Sequence, residues 1–422
     1  MSTFDMGSLI LVFAAAIGVL NERFLGLPRV IALLLGSLAI SLCLIVVGRF
    51  FASFDLVQLS QHRIEGAHLP RILMDGVLAL LLFAASLQVE FHELRSQAIA
   101  VLGLATIGVI LATALFTVGI WAVFAVGGED VPLAWCFVLG AILAPTDAVA
   151  VEGLLKRVAL PQALKAMISG ESLFNDGTAV VIFLAALAAA SGESHVIGHG
   201  RILFALVVEG GGGAVVGLAT GLLACLVLRR IEEDTLAVTV SLALALATYR
   251  LALTLDLSGP IAVVVCGLVL ANRPIAAAGV QPARRERLGT FWGLVDELLN
   301  TLLFLLMGFQ ILALDLSSFT LLPVIAAIPL ALLSRLVSVA VPVLFLRLKP
   351  REKLRATGLM TWVGLRGAVS VALVLTLPEG PYRDVLSAAC YAVVIFTIVV
   401  QGLTTPRIIA ALYPAQPVKA RS

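Results

Sequence analysis

Three short stretches place reactive side chains among apolar neighbours. Ala144-Pro145-Thr146-Asp147-Ala148 puts a helix breaker, a hydroxyl and a carboxylate side by side. Gly170-Glu171-Ser172-Leu173-Phe174-Asn175-Asp176-Gly177 sets two carboxylates, a hydroxyl and an amide between glycines. Gly364-Leu365-Arg366-Gly367 flanks an arginine with glycines. Residues four apart share a helical face, so Ser172 lies below Asp176 and Glu171 below Asn175 on the adjoining stripe. A hydroxyl and a carboxylate are oxygen ligands for a small hard cation. A carboxylate out of water can also be neutralised by a proton, so one acid can bind either ion. The Glu171–Asn175 stripe suits the holding of neighbouring groups.

The elements that position these groups follow from composition. Of the 422 residues 61% are hydrophobic and only 13% charged, with a formal net charge of +2. Soluble domains have about half their residues apolar and about a quarter charged. A soluble enzyme, a disordered chain and a nucleic-acid binder are therefore excluded, and lipid is the main solvent. Cys43, Cys136, Cys225, Cys266 and Cys390 lie singly in apolar runs and read as small buried hydrophobes. Ser172 lacks the G-x-S-x-G of a hydrolase. The Gly210–Gly213 run lacks the G-K-[ST] of a nucleotide-binding loop and reads as close helix packing or a bend. His62, His68, His92, His195 and His199 fall in loops or at span ends and read as solvated residues.

A lipid-crossing helix needs about 20 mostly apolar residues. Thirteen segments qualify, near 7–22, 30–48, 72–89, 97–126, 133–153, 167–190, 202–228, 235–254, 258–272, 291–313, 318–346, 358–377 and 384–405. With the N-terminus outside and alternating sides, only Arg49, Arg63, Arg71, Arg201 and Arg383 fall outside, while most basic loop residues fall inside. That bias is what the positive-inside rule demands, and it places the C-terminus in the cytoplasm. The first segment lacks a basic n-region and a cleavage site and reads as a retained span.

Asp147, Glu171, Asp176, Glu297, Arg335 and Arg366 lie well inside spans, where ionisable groups are costly and functional by default. A proline kink whose acid pairs with an arginine is the plainer reading of Asp147. A break carrying both Thr146 and Asp147 favours an ion site, since interrupted helices line such sites in transporters. Arg366 needs an anion. Glu171 is the first choice of partner, and a bracing role is assigned to the arginine. Asp147-Ala148-Val149-Ala150-Val151 in the fifth span echoes Gly367-Ala368-Val369-Ser370-Val371 in the twelfth. Those spans cross in opposite senses, as inverted repeats do. The expected fold is an all-α polytopic membrane protein of about thirteen helices, with inverted repeats and broken helices near 145 and 366.

At these residues the sequence resembles the bacterial NhaP-type sodium/proton antiporters, relatives of the animal sodium/proton exchangers, over almost the whole chain. Gly170 through Gly177 matches the family's Asn-Asp signature, and Thr146-Asp147 and Gly364-Leu365-Arg366-Gly367 match two further hallmarks. Val295-Asp296-Glu297-Leu298-Leu299-Asn300 through Leu306-Met307-Gly308 matches the tenth span, where Glu297 stands for an expected glutamate and Arg335 for its partner. The resemblance implies an NhaA-like antiporter fold and Asp176 as the carrier of proton and cation. Asp147, Ser172 and Thr146 complete the shell, with Na+ at Asp147, Ser172 and Asp176. Asn175, Glu171, Arg366, Glu297 and Arg335 support the site. Asn175, where electrogenic relatives carry a second aspartate, implies electroneutral one-for-one exchange. Two departures affect the shell: Ala148 follows Asp147 where many relatives have proline, and Ala84 replaces a third-span glutamate, leaving a water or Ser86 as substitute.

The implied activity is exchange of Na+, with Li+ or K+ as alternatives, for H+ by alternating access, without catalysis or resident cofactor. Residues 96–190 and 318–410 are expected to form a moving core. Residues 1–95 and 191–317 form an interface domain that dimerises, and 411–422 form a short tail. The expected partners are the bilayer, the cation, the proton and a second copy, with no nucleotide or nucleic acid, in a bacterial inner membrane. A passive channel would need a ring of ligands, which singly placed carboxylates do not supply. An intramembrane protease using Asp147 and Asp176 lacks its flanking signatures, and Glu171 disfavours an anion carrier.

Overall fold

The computed structural model describes residues 3–50, 76–89, 91–147, 160–192, 206–271, 282–310, 321–346 and 349–413. Every regular element among them is helical. In chain order these are α1 (Thr3–Leu20), α2 (Arg29–Phe50), α3 (Leu78–Gln88), α4 (Phe91–Ser96), α5 (Ala98–Gly127), α6 (Leu133–Ile142), α7 (Gln162–Ala190), α8 (Gly211–Leu228), α9 (Asp234–Thr254), α10 (Gly259–Ala271), α11 (Pro282–Gln310), α12 (Leu321–Leu344), α13 (Pro350–Val363), α14 (Ala368–Leu375) and α15 (Arg383–Leu412). In hydrocarbon a helix satisfies its own backbone, which is why these apolar runs adopt no other form.

Each predicted segment overlaps at least one of these helices, with α13 and α14 sharing 358–377, and eight described helices are long and apolar enough to cross a membrane. Shorter apolar helices lie at Arg29–Leu44, Leu78–Gln88, Leu133–Ile142 and Gly259–Ala271. Several boundaries differ from expectation, among them the starts of α7, α11 and α13 and the end of α15. α7 begins at Gln162 rather than 167, directly after Pro161, which cannot continue a helix backwards. α11 begins at Pro282 rather than 291, because its charged first turns end the apolar run without ending the helix.

Small residues set the closest approaches. On α8, Gly213, Gly217 and Gly221 are buried at four-residue spacing. A β-carbon at Gly213 would stand 2.5 Å from the Ser258 carbonyl, and one at Gly217 would strike the Ala262 carbonyl. The glycine run is thus the close packing surface expected of it, against α10. α7 packs on α5 and α6, α12 on α5 and α15, and α11 on α2 and α3.

Two interruptions matter. α6 stops at Ile142 and the chain is unwound through Asp147, while α13 stops at Val363 and α14 resumes at Ala368. The two breaks meet: the Asp147 N–H donates to the Leu365 carbonyl at 2.8 Å.

Candidate ion site

Glycines clamp the acidic stretch of α7. A side chain at Gly170 would strike Leu94, and one at Gly177 would approach Ile261 within 2.8 Å. Between them Glu171, Ser172, Asn175 and Asp176 are all buried, as is Thr146 at the fifth-span break. Ser172 Oγ and Thr146 Oγ1 are hydrogen-bonded at 3.0 Å. Asn175 Nδ2 donates to Thr146 Oγ1 at 2.8 Å and to Glu171 Oε1 at 3.0 Å. The amide therefore ties the two stripes of α7 to the break.

Asp176 Oδ1 is shielded from solvent and has no hydrogen-bond partner among the described residues. Buried polar atoms are nearly always partnered, so an acceptor of this kind marks a place for a proton or a cation. Asp147 is half-buried beside it in the crossing, with its carboxylate against Gly367, where any side chain would collide with it. Among the predicted shell, Thr146 and Ser172 are in direct contact, and Asp147 and Asp176 flank them on the break and on α7.

Two expected pairings are corrected. Glu171 does not pair with Arg366. Arg335 of α12 donates to both its oxygens, at 2.7 and 2.6 Å. Gly364 makes this possible, since a β-carbon there would lie 2.6 Å from Arg335 Nε. Arg366 instead donates from NH1 to the Ala144 carbonyl and to the Pro145 carbonyl at 2.8 Å. Carbonyls freed by the break, in place of a carboxylate, are thus its hydrogen-bond partners.

The pairing of Glu297 with Arg335 is corrected as well. Glu297 is half-exposed on α11 and pairs with the similarly exposed Arg29. Its neighbour Asp296 is the buried acid, accepting from Gln88 Nε2 at 3.0 Å and from Asn300 Nδ2 at 3.0 Å. Trp292, Asp296 and Asn300 are all buried at four-residue spacing, a pattern that could have been read from sequence. The Ser86 hydroxyl donates to the Phe83 carbonyl at 2.7 Å, with Gly267 packed against it. Ala148, His62, His68, His195 and His199 lie outside the described residues, as does the side chain of His92.

Apolar helices that enclose a crossing of two interrupted segments, faced by buried carboxylates, define a membrane carrier of small ions. The family model described as sodium/hydrogen exchanger, transmembrane, matches residues 8–411. The chain is 38% identical over 410 residues to the Na(+)/H(+) antiporter NhaP of Pseudomonas aeruginosa, covering 94% of each chain. It is 35% identical over 339 residues to the Na(+)/H(+) antiporter NhaH of Halobacillus dabanensis, covering 79% of this chain and 81% of that one. Its fold matches that of the sodium proton antiporter MjNhaP1 from Methanocaldococcus jannaschii with a TM-score of 0.77 at 20% identity, covering 98% of this chain and 99% of that one. The chain belongs to the sodium/hydrogen exchanger family, as a multi-pass membrane protein.

Proposed function

We propose that the chain exchanges Na+ for H+ across a bacterial inner membrane, with both ions competing for Asp176. The observation that carries this reading is the buried Asp176 Oδ1, without a hydrogen-bond partner among the described residues, beside the crossing of the two breaks. A buried carboxylate must be neutralised, and a proton and a cation each do so. Ser172, Thr146 and Asp147 offer further oxygens to a dehydrated cation from the neighbouring turn and the break. Occupancy by one ion excludes the other, which couples the two fluxes without any resident cofactor.

Asn175, held by Thr146 and Glu171, stands where the resemblance puts a second aspartate in electrogenic relatives, which supports one-for-one exchange. Thirteen spans, an outer N-terminus and a cytoplasmic C-terminus remain the topology that the loop charges favour. The packing of α5, α6 and α7 on each other and of α12 on α5 and α15 supports a moving core of residues 96–190 and 318–410. Residues 1–95 and 191–317 then form the static, dimerising part.

The test is Na+-driven proton movement in proteoliposomes. Asp176→Asn abolishes it in folded protein, and Asp147→Asn raises half-saturating Na+ or slows turnover. Exchange by Asp176→Asn at the normal rate would remove the reading.

A further inference from the structure

The break between α13 and α14 frees backbone groups that a continuous helix would have paired. Leu365 N–H turns back to the Val363 carbonyl at 2.7 Å, and the Leu365 carbonyl accepts from Asp147 N–H. Arg335 Nη2 of α12 donates to the Met360 carbonyl at 3.4 Å, and two further ties come from α15. Gln401 Nε2 donates to the Trp362 carbonyl at 3.0 Å, on the α13 side of the break. Thr397 Oγ1 accepts from the Arg366 N–H at 3.1 Å, on the α14 side, and donates to the Val394 carbonyl at 3.0 Å.

Both side chains are buried, at 3% and 0% exposure, and they open and close the wide turn Thr397–Gln401 of α15. Such wide turns inside helices recur at functional sites. Packing alone does not call for these side chains: valine would fill the space of Thr397, and leucine that of Gln401. The Thr397 hydroxyl and the Gln401 Nε2 are instead taken up by backbone groups at or beside the break.

From the break the ties lead directly to the crossing. Thr397 fixes the Arg366 backbone, and the Arg366 guanidinium holds the Ala144 and Pro145 carbonyls, which immediately precede Thr146 and Asp147. We propose that Thr397 and Gln401 are positioning residues that set the register of the α13–α14 break and, through Arg366, the affinity of the crossing for its cation. The proposal rests on the reading of that crossing as the Na+/H+ site.

The experiment measures Na+-dependent proton movement by purified full-length protein in proteoliposomes, as half-saturating Na+, maximal rate and pH profile, alongside the thermal midpoint in detergent. Thr397→Val and Gln401→Leu are expected to raise half-saturating Na+ by about 10–100-fold, the usual penalty for losing a group that orients a ligand. Maximal rate falls less. At fixed Na+ the pH profile moves to alkaline values, because a weakened cation faces an undiminished proton. Thr397→Ser, which keeps the hydroxyl, restores the parent values.

Folded variants with unchanged half-saturation and pH profile overturn the proposal. Failure of both variants to fold overturns it too, since the bonds would then determine the fold rather than position the site. Absence of cation-driven proton movement in the parent protein would instead remove the reading of the crossing itself.

Discussion

Arg335 grips Glu171 through both terminal guanidinium nitrogens, at 2.7 and 2.6 Å, although the two are 164 residues apart. Both are buried, so the pair joins α12 to α7 without help from water. Removing one partner leaves an uncompensated buried charge, at a cost of about 3–5 kcal/mol. Arg335→Met is expected to lower unfolding stability in detergent by that amount. The double variant Arg335→Met with Glu171→Leu recovers most of it. A single variant as stable as the parent would show that the pair does not hold the helices together.

Competition at one carboxylate has a kinetic signature. Acidification adds protons against a fixed number of cations, so half-saturating Na+ rises as pH falls, by up to about tenfold for each unit. Saturating Na+ restores the same maximal rate at each pH, provided that translocation stays rate-limiting. The check is a set of Na+ titrations at several pH values in proteoliposomes. Half-saturation independent of pH, with a falling maximal rate, would mean that proton and cation do not share Asp176.

The two breaks were legible because proline and glycine punctuate a helix locally: Pro145 ends one and Gly364 and Gly367 frame the other. The α7 cluster was legible because four-residue spacing is also local. The ion pairs were not, since pairing across helices depends on rotation and clearance. Nothing local tells that the bare Gly364 lets Arg335 through to Glu171, or that carbonyls freed at Ala144 and Pro145 satisfy Arg366. Glu297 was preferred to Asp296 on resemblance, although adjacent helical residues point about 100° apart and on α11 it is Asp296 that faces inward.

Close packing of α8 on α10 depends on the absence of a β-carbon at Gly217, where one would meet the Ala262 carbonyl. The obstacle is backbone and cannot swing aside. Gly217→Ala is expected to cost about 1–3 kcal/mol, the range for overpacking. Gly211→Ala on the same helix has nothing within 4 Å of the new carbon and should be neutral or slightly stabilising. Unfolding of the two variants in detergent separates them. Equal stability would mean that the helices do not approach as closely as the Gly217 contact requires.

Asp296 and Glu297 adjoin on α11 yet carry opposite expectations. The Glu297 side chain is 53% exposed and its partner Arg29 is 57% exposed, so screening leaves their bridge worth at most about 0–1 kcal/mol. Glu297→Gln should therefore leave stability and exchange close to the parent values. Asp296 is 6% exposed and accepts from the amides of Gln88 and Asn300, which tie α11 to α3 and to its own next turn. Asp296→Ala removes the acceptor of the Gln88 amide and one of the two acceptors of the Asn300 amide, at about 1–3 kcal/mol. Paired unfolding and transport measurements decide between the two. A Glu297→Gln variant that loses stability while Asp296→Ala does not would reverse the assignment and return the tenth-span role to the glutamate.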